Sequence, residues 1–214
     1  DLQTIDIISM RPTIEWIAPK EATWSELNNW SKQRKSKASD IIAIDSRKLQ
    51  ARAKVSLMKG DHTARSLYLN GHLLFDNELR DFDKDFKNTT LNLKDFYLDN
   101  GRFEQYENTE ISVDKIFMSN RSDFRLFSGI VKKTEFNNES PIGIHSSQPC
   151  GIFCGPSLVE KSDTQLHGVT FNGHVDFTPD TEQIQDNVGL TVFDGLTIND
   201  KLVFSSVGED FARF

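Results

Sequence analysis

The sequence predicts a mainly β protein of antiparallel strands, arranged as a barrel or a sandwich, with one helix in its N-terminal part. Three observations predict this fold. Apolar and polar residues alternate over short stretches, Asn-Gly pairs interrupt apolar runs, and sixteen of the 214 residues are phenylalanine, which favours strands. Many short strands separated by closely spaced turn signals are typical of antiparallel barrels and sandwiches.

The helix is expected near the start of the chain. Thr23 and Glu26 have the spacing of a capping box, in which two side chains satisfy free N–H groups at the start of a helix. Trp24, Leu27 and Trp30 follow at intervals of three, which would place them on one face. We expect this face to dock on a core.

From residue 49 onward the period changes to two. Apolar side chains occupy every second position of residues 49–57, which predicts a half-buried strand. Asn70-Gly71 and Asn172-Gly173 each separate two apolar runs and predict β-hairpins, because both turn residues need positive φ. Asn100-Gly101 and Asp194-Gly195 are further candidate turns. Other strands are expected at residues 90–98, 111–118, 124–132, 142–145, 150–154, 188–193 and 201–207.

Two polar segments, residues 76–88 and 134–141, are expected to be loops. A change in pattern near residue 105 predicts two domains. Residues 1–105 would form a part with some helix, and residues 106–214 would form an all-β part.

Charge and hydropathy restrict the class of function. The formal net charge is −7, which argues against a nucleic-acid ligand because phosphate contacts need a basic surface. No apolar run approaches the roughly 18 residues of a membrane span, and no signal peptide is visible. The chain begins with Asp1 rather than Met, which fits a processed, secreted protein. The basic cluster at residues 32–37 predicts a solvated helix end or loop, with contact to an acidic partner as the alternative.

The segment Gly151–Glu160, with the sequence GIFCGPSLVE, predicts a strand, a sharp turn and a short helix. Gly155 supplies the conformational freedom for the turn. Pro156 has a fixed φ that suits the first position of a helix.

This pattern resembles the G-x-F-Y-G-P-x-A-x-E signature of the transferrin-binding-protein-B-like β-barrels. Members of that family are surface lipoproteins and secreted haem-acquisition proteins of Gram-negative bacteria. Cys154 and Leu158 stand where the signature has tyrosine and alanine. The matching residues are Gly151, Phe153, Gly155, Pro156 and Glu160.

The resemblance implies an antiparallel eight-stranded β-barrel at residues 106–214, preceded by a handle-like α+β ligand-binding domain at residues 1–105. It implies a non-enzymatic haemophore for iron acquisition from a host, secreted or held at the outer-membrane surface. Such a protein binds haem or a host haem or iron protein and passes its cargo to an outer-membrane transporter. Haem iron takes neutral imidazole as an axial ligand, so His62 and His72 are the candidate iron ligands in the handle.

Two other classes of function stay open. A β-sandwich adhesin or a viral surface module would use its strands to bind a glycan or a protein. A chymotrypsin-like cysteine protease would use Cys154 as its nucleophile and His62 or His72 as the base. Asp95 or Asp99 would then orient that base.

The residues around the cysteines bear on the protease interpretation. Ile152 stands where a nucleophile loop of that class has glycine, which weakens the interpretation. Cys150 and Cys154 would lie about 13 Å apart in an extended strand, which is too far for a disulfide. They can pair only if the chain turns between them.

Overall fold

The computed structural model describes residues 11–19, 21–76, 89–106, 108–119, 121–144, 164–177 and 190–204. Its regular structure consists of β-strands and two short 3₁₀ turns, at Leu27–Asn29 and Ser46–Lys48. The strands, in chain order, are β1 (Ile14–Glu15), β2 (Ala22–Thr23), β3 (Ile41–Asp45), β4 (Lys54–Leu57), β5 (Asp61–Asn70), β6 (His72–Phe75), β7 (Thr89–Leu98), β8 (Arg102–Gln105), β9 (Thr109–Met118), β10 (Asp123–Leu126), β11 (Gly129–Lys132), β12 (Glu135–Asn138), β13 (Ile142–Ile144), β14 (Thr164–His167), β15 (Thr170–Phe171), β16 (Val175–Phe177), β17 (Leu190–Asp194), β18 (Thr197–Ile198) and β19 (Leu202–Phe204).

The named strands form two sheets, and every ladder between them is parallel. One sheet has the order β1-β3-β5-β7-β9-β11-β14-β17, with β12, β15 and β18 beside that path. The other has the order β2-β4-β6-β8-β10-β13-β16-β19. The chain alternates between the sheets, and each strand pairs with a strand from the next circuit. The described chain is therefore a β-solenoid, in which successive coils stack along one axis.

The register gives the length of a coil. Leu91 pairs with Ile111, and Ile111 pairs with Val131, so these two coils repeat after twenty residues. Val131 pairs with Leu166, which shows a longer coil that carries an insert. The second sheet has eight strands, and a spacing of about 4.8 Å makes the described solenoid about 34 Å long.

The solenoid has three faces because the long strands β5, β7 and β9 bend in the middle. In β7, Lys94 and Asp95 both point away from the core, and the ladder pairing is interrupted at Lys94. Later coils break at this corner into β11 and β12, β14 and β15, or β17 and β18. Face A contains the first halves of the long strands with β11, β14 and β17. Face B contains their second halves with β1, β3, β12, β15 and β18, and face C is the second sheet.

Inward-facing side chains from neighbouring coils stack in rows and form the core. Phe103 and Phe124 are ladder partners, and their ring centroids lie 4.6 Å apart. Phe136 and Phe171 are partners too, with a centroid distance of 4.8 Å. All four side chains are fully buried. Burial stabilises the fold by about 1.5–3 kcal/mol for each such ring, which explains the high phenylalanine content.

Tryptophan side chains close the N-terminal end of the core. Trp16, Trp24 and Trp30 are each at most 4% exposed, and their rings meet edge to face. The Trp30 indole N–H donates a hydrogen bond to the Trp24 carbonyl oxygen at 2.8 Å. Residues 29–31 hydrogen-bond along the outer edge of β1, so this edge is protected from pairing with another strand.

The expected fold class is wrong. A handle-like α+β domain followed by an antiparallel eight-stranded barrel does not form, because two parallel sheets run through the described chain. Asn70-Gly71 and Asn172-Gly173 are not hairpin turns but corners where the chain passes from face B to face C. The strands beside each corner therefore lie in different sheets. The boundary expected after residue 105 falls between β8 and β9, and both sheets continue across it.

The helix expected after Thr23 is also wrong, since only the 3₁₀ turn Leu27–Asn29 forms there. Trp24 and Trp30 are buried as expected, but Leu27 is 40% exposed. The tryptophan contacts with the core therefore outweigh the local capping signal.

Most of the expected strands are confirmed, because alternation identifies a buried face whichever way the strands pair. Residues 90–98 and 111–118 correspond to β7 and β9, whereas residues 124–132 are divided into β10 and β11. Residues 134–141 contain β12 and are not a loop. The strands expected at 49–57, 142–145, 188–193 and 201–207 are confirmed within the described residues by β4, β13, β17 and β19. The expected strand at 150–154 and nearly all of the expected loop at 76–88 lie outside the described residues.

Candidate binding site

A row of aromatic and amide side chains runs along the outside of face B on five successive coils. We call this row the outer strip, and it consists of Tyr97, Phe117, Asn137, Asn172 and Asn199. Ladder pairing joins Tyr97 to Phe117 and Phe117 to Asn137. With about 4.8 Å between coils, the outer strip extends for about 19 Å along the axis.

Because side chains on a β-strand alternate between its two faces, these residues point away from the core. Each follows a side chain that points inward, as Asn137 follows Phe136 and Asn172 follows Phe171. The rings of Tyr97 and Phe117 stack at a centroid distance of 5.1 Å and an interplanar angle of 10°. Both rings are half-buried, and the stacking covers one face of each ring.

The three asparagines form a hydrogen-bonded ladder. The Asn199 side-chain N–H donates to Oδ1 of Asn172 at 2.7 Å, and the Asn172 N–H donates to Oδ1 of Asn137 at 3.0 Å. An amide has two N–H donors and two acceptor lone pairs. The Asn172 amide also donates to a Glu135 carboxylate oxygen at 3.2 Å, so both of its N–H donors are used and an acceptor lone pair is left. Asn172 and Asn199 are exposed. The ladder therefore presents oriented amides to solvent at a regular spacing.

A second outer row lies beside the outer strip. Its members are Asp95, Lys115, Glu135, Thr170 and Thr197, which are successive ladder partners. The Lys115 ammonium lies 4.0 Å from a Glu135 carboxylate oxygen, so charges of opposite sign alternate here. The two threonine hydroxyls continue the row beside the asparagines. This part of face B is rich in hydrogen-bonding groups and has little net charge.

His62 lies on face A, as the second residue of β5. Its ring contacts the Trp24 ring at a centroid distance of 5.9 Å, and Nε2 lies 3.1 Å from the Lys59 carbonyl oxygen. Burial lowers the pKa of His62, which favours the neutral imidazole that an iron ligand requires.

His72 begins β6 on face C, where its Nε2 lies 3.0 Å from a Glu104 carboxylate oxygen. Glu104 is 5% exposed, pairs with Arg102 and accepts a hydrogen bond from the Tyr106 hydroxyl at 3.3 Å. Burial alone would raise the pKa of Glu104. The hydrogen bond from His72 and the charge of Arg102 outweigh this effect and lower the pKa to about 2. His62 and His72 share no contact among the described residues and have different surroundings.

The two carboxylates that the protease interpretation would use, Asp95 and Asp99, have other partners or surroundings in the structure. Asp99 accepts a hydrogen bond from the Tyr68 hydroxyl at 2.7 Å, and Asp95 lies in the second outer row. Within the described ranges, neither is a hydrogen-bond or ion-pair partner of His62 or His72.

The segment Gly151–Glu160, including Cys154, lies outside the described residues, as does Cys150. The family resemblance, the nucleophile and the pairing of the two cysteines therefore stay predictions. In the part of the chain that the structure describes, no group of three or more His, Cys, Asp or Glu side chains could hold a metal ion. No helix in the same ranges is long and apolar enough to cross a membrane.

Comparison with protein-family models, with curated proteins and with solved structures gives no match to this chain.

The outer strip was not predicted from the sequence. Its asparagines are separated by 35 and 27 residues and become neighbours only through the register of the coils. The recurrence of an apolar residue followed by Asn, as in Phe136-Asn137, Phe171-Asn172 and Ile198-Asn199, is the signal that could have indicated it.

Proposed function

We propose that this chain is a non-enzymatic binding module that holds a neutral polysaccharide along the outer strip. The observation that carries the proposal is the amide ladder of Asn137, Asn172 and Asn199. Its amide groups recur at each coil, and a polymer with repeated hydroxyl groups offers partners at a matching repeat.

The chemistry of face B supports this class of ligand. A hydroxyl group both donates and accepts hydrogen bonds, as does an asparagine amide. The half-exposed rings of Tyr97 and Phe117 add apolar surface at one end of the outer strip, which the C–H groups of a sugar ring can contact. The low net charge of the two outer rows does not suit a polyanion, whose binding depends on basic side chains.

The rigidity of the surface also favours binding. Backbone ladders fix the coil positions, and the amide ladder orients Asn137 and Asn172 before any ligand arrives. Less side-chain freedom is therefore lost when the polymer binds. A module of this kind would act as an adhesin or surface module, secreted or displayed at a cell or virion surface.

Haem capture, followed by transfer to an outer-membrane transporter, stays a prediction. His62 and His72 each place one ring nitrogen beside an oxygen of the protein, the Lys59 carbonyl and the Glu104 carboxylate. A titration with haemin tests this class of function separately.

The proposal is tested by affinity electrophoresis in gels that contain a soluble neutral glucan, mannan or galactan. At least one polymer should retard the protein, and Asn172→Ala and Asn199→Ala should each remove most of the retardation. Asn92→Ala is the matched control, because Asn92 is an exposed strand asparagine on face A. Retardation by no polymer, or retardation that the two variants leave unchanged, would contradict the proposal. Shortening of the bound polymer would show an enzyme instead.

A further inference from the structure

Charge is distributed unevenly along the solenoid. Residues 11–60 contain eleven Lys and Arg against five Asp and Glu, whereas residues 61–214 contain fourteen against twenty-five. Sequence position corresponds to position along the axis of a solenoid. The first two coils therefore form a basic end on a protein that is otherwise acidic.

A loop with a fixed conformation presents much of this charge. Asp40 is 4% exposed and receives two hydrogen bonds from the Arg34 guanidinium, at 2.6 and 2.8 Å. It also accepts hydrogen bonds from the Lys37 backbone N–H at 2.7 Å and the Thr13 hydroxyl at 2.9 Å. The Arg34 hydrogen bonds lower the pKa of Asp40 and keep the carboxylate ionised. Because Arg34 neutralises Asp40, this carboxylate does not offset the positive charges of the neighbouring lysines.

The side chains of Lys32, Lys35 and Lys37 project from this loop and are exposed. Arg11 is exposed just before β1. None of the four has an ion-pair partner among the described residues. They therefore form an uncompensated positive surface.

Two exposed apolar side chains lie at the same end. Ile17 is 49% exposed and Leu27 is 40% exposed, and these are two of the three large hydrophobic side chains described as exposed. The Ile17 backbone N–H donates to the Asn29 carbonyl oxygen, which brings the segments that carry Ile17 and Leu27 together. The loop that bears the lysines begins directly after this contact, because residue 31 hydrogen-bonds to β1.

We propose that this end, the basic cap of Arg11, Ile17, Leu27, Lys32, Lys35 and Lys37, docks on an anionic lipid surface. The lysines and the arginine supply attraction to anionic headgroups, and Ile17 and Leu27 enter the boundary between headgroups and acyl chains. A soluble polyanion would use the positive charges but would gain nothing from the two apolar side chains. The solenoid axis would then stand away from the membrane, with the outer strip free to bind its ligand.

The test is sedimentation of the purified chain with phosphatidylcholine vesicles, with and without about 30% phosphatidylserine. We expect binding only to the anionic vesicles, with loss of binding when salt is raised to about 0.5 M. Each lysine contributes about fivefold to partitioning, so the triple variant Lys32→Gln, Lys35→Gln, Lys37→Gln should bind about a hundredfold more weakly. The variant Ile17→Ser, Leu27→Ser should also weaken binding while all of the charges remain.

The matched control is the triple variant Lys94→Gln, Arg121→Gln, Lys201→Gln, which removes the same charge from exposed positions elsewhere on the solenoid. It should bind anionic vesicles almost as the unmodified chain does, and both triple variants should keep its circular dichroism spectrum. Absence of binding to anionic vesicles would overturn the proposal. Equal weakening by both triple variants would show general charge attraction. Binding that is unchanged in Ile17→Ser, Leu27→Ser would show a site for a soluble polyanion. Either of these results would also overturn it.

Discussion

The rings of Phe136 and Phe171 stack at a centroid distance of 4.8 Å although 35 positions separate the two residues in the sequence. They meet because β12 and β15 are neighbouring parallel strands, so that one ring lies directly over the other in the core. Phe136 also contacts Phe124 at 5.2 Å, and it therefore links face B to face C.

Phe136→Ala should lower the free energy of unfolding by about 3–5 kcal/mol, because a fully buried ring leaves a cavity between coils. Phe117→Ala is the control on the outside of the neighbouring coil, where about 1–2 kcal/mol is expected from the loss of a stacked, half-exposed ring. Urea unfolding followed by circular dichroism measures both changes. Equal losses for the two variants would contradict the assignment of Phe136 to the core.

Two glycines separate the cost of backbone strain from the cost of crowding. Gly129 and Gly60 have φ values of +95° and +99°, which L residues adopt with strain. A Cβ atom at Gly129 would lie 2.7 Å from Oγ1 of Thr109 and 2.8 Å from Nε2 of Gln105, whereas nothing lies within 4 Å at Gly60. Gly129→Ala should therefore cost about 2–4 kcal/mol, against about 1 kcal/mol for Gly60→Ala. Thermal and urea unfolding would show the difference, and similar costs would argue against close packing at this corner.

The stability of the protein should depend on pH through Glu104. Its pKa is lowered from 4.5 to about 2 in the folded state, so the carboxylate stabilises the fold fully above about pH 4.5. This contribution, about 3 kcal/mol, is lost as the pH falls from about 4.5 towards 2.

Unfolding free energies measured between about pH 5 and pH 2 should fall less steeply in Glu104→Gln than in the unmodified chain. Glu110→Gln serves as the control, because Glu110 makes a more exposed pair with Lys132 and should change the slope little. An unchanged slope in Glu104→Gln would show that the Glu104 pair does not set the acid sensitivity.

The haem prediction has a direct optical test. If His62 or His72 binds haem iron, haemin should produce a Soret shift that weakens in His62→Ala or His72→Ala. His167→Ala is a suitable control, because His167 lies on a later coil beside Asp194. A Soret shift that neither variant alters, or no shift, would remove both residues as ligands.

Alternation predicted the positions of β7 and β9, because a strand with one buried face shows period two in any sheet. It could not predict the partners of these strands. Asn70-Gly71 has the local chemistry of a hairpin turn, but the same two residues also form a corner between faces. The missing information is the register across a coil, visible in the sequence only as the twenty-residue repeat of Leu91, Ile111 and Val131. Longer coils interrupt that repeat after Val131.

The candidate site was missed for the same reason. Histidines and cysteines are candidate ligands or nucleophiles by residue type alone. Asn172 becomes a candidate binding residue only through its position beside Asn137 and Asn199. The tryptophans near the N-terminus gave a partial success. The burial of Trp24 and Trp30 was predicted correctly, but a 3₁₀ turn forms where the helix was expected.

The most direct test of the proposed function is an NMR titration that follows the side-chain amide signals of the asparagines. The probe is a short oligosaccharide of whichever neutral polysaccharide retards the protein in the gel. The signals of Asn137, Asn172 and Asn199 should shift together and saturate at one ligand concentration, while Asn92 on face A stays unchanged. Saturable binding that leaves Asn172 and Asn199 unmoved would contradict the assignment of the outer strip as the binding surface.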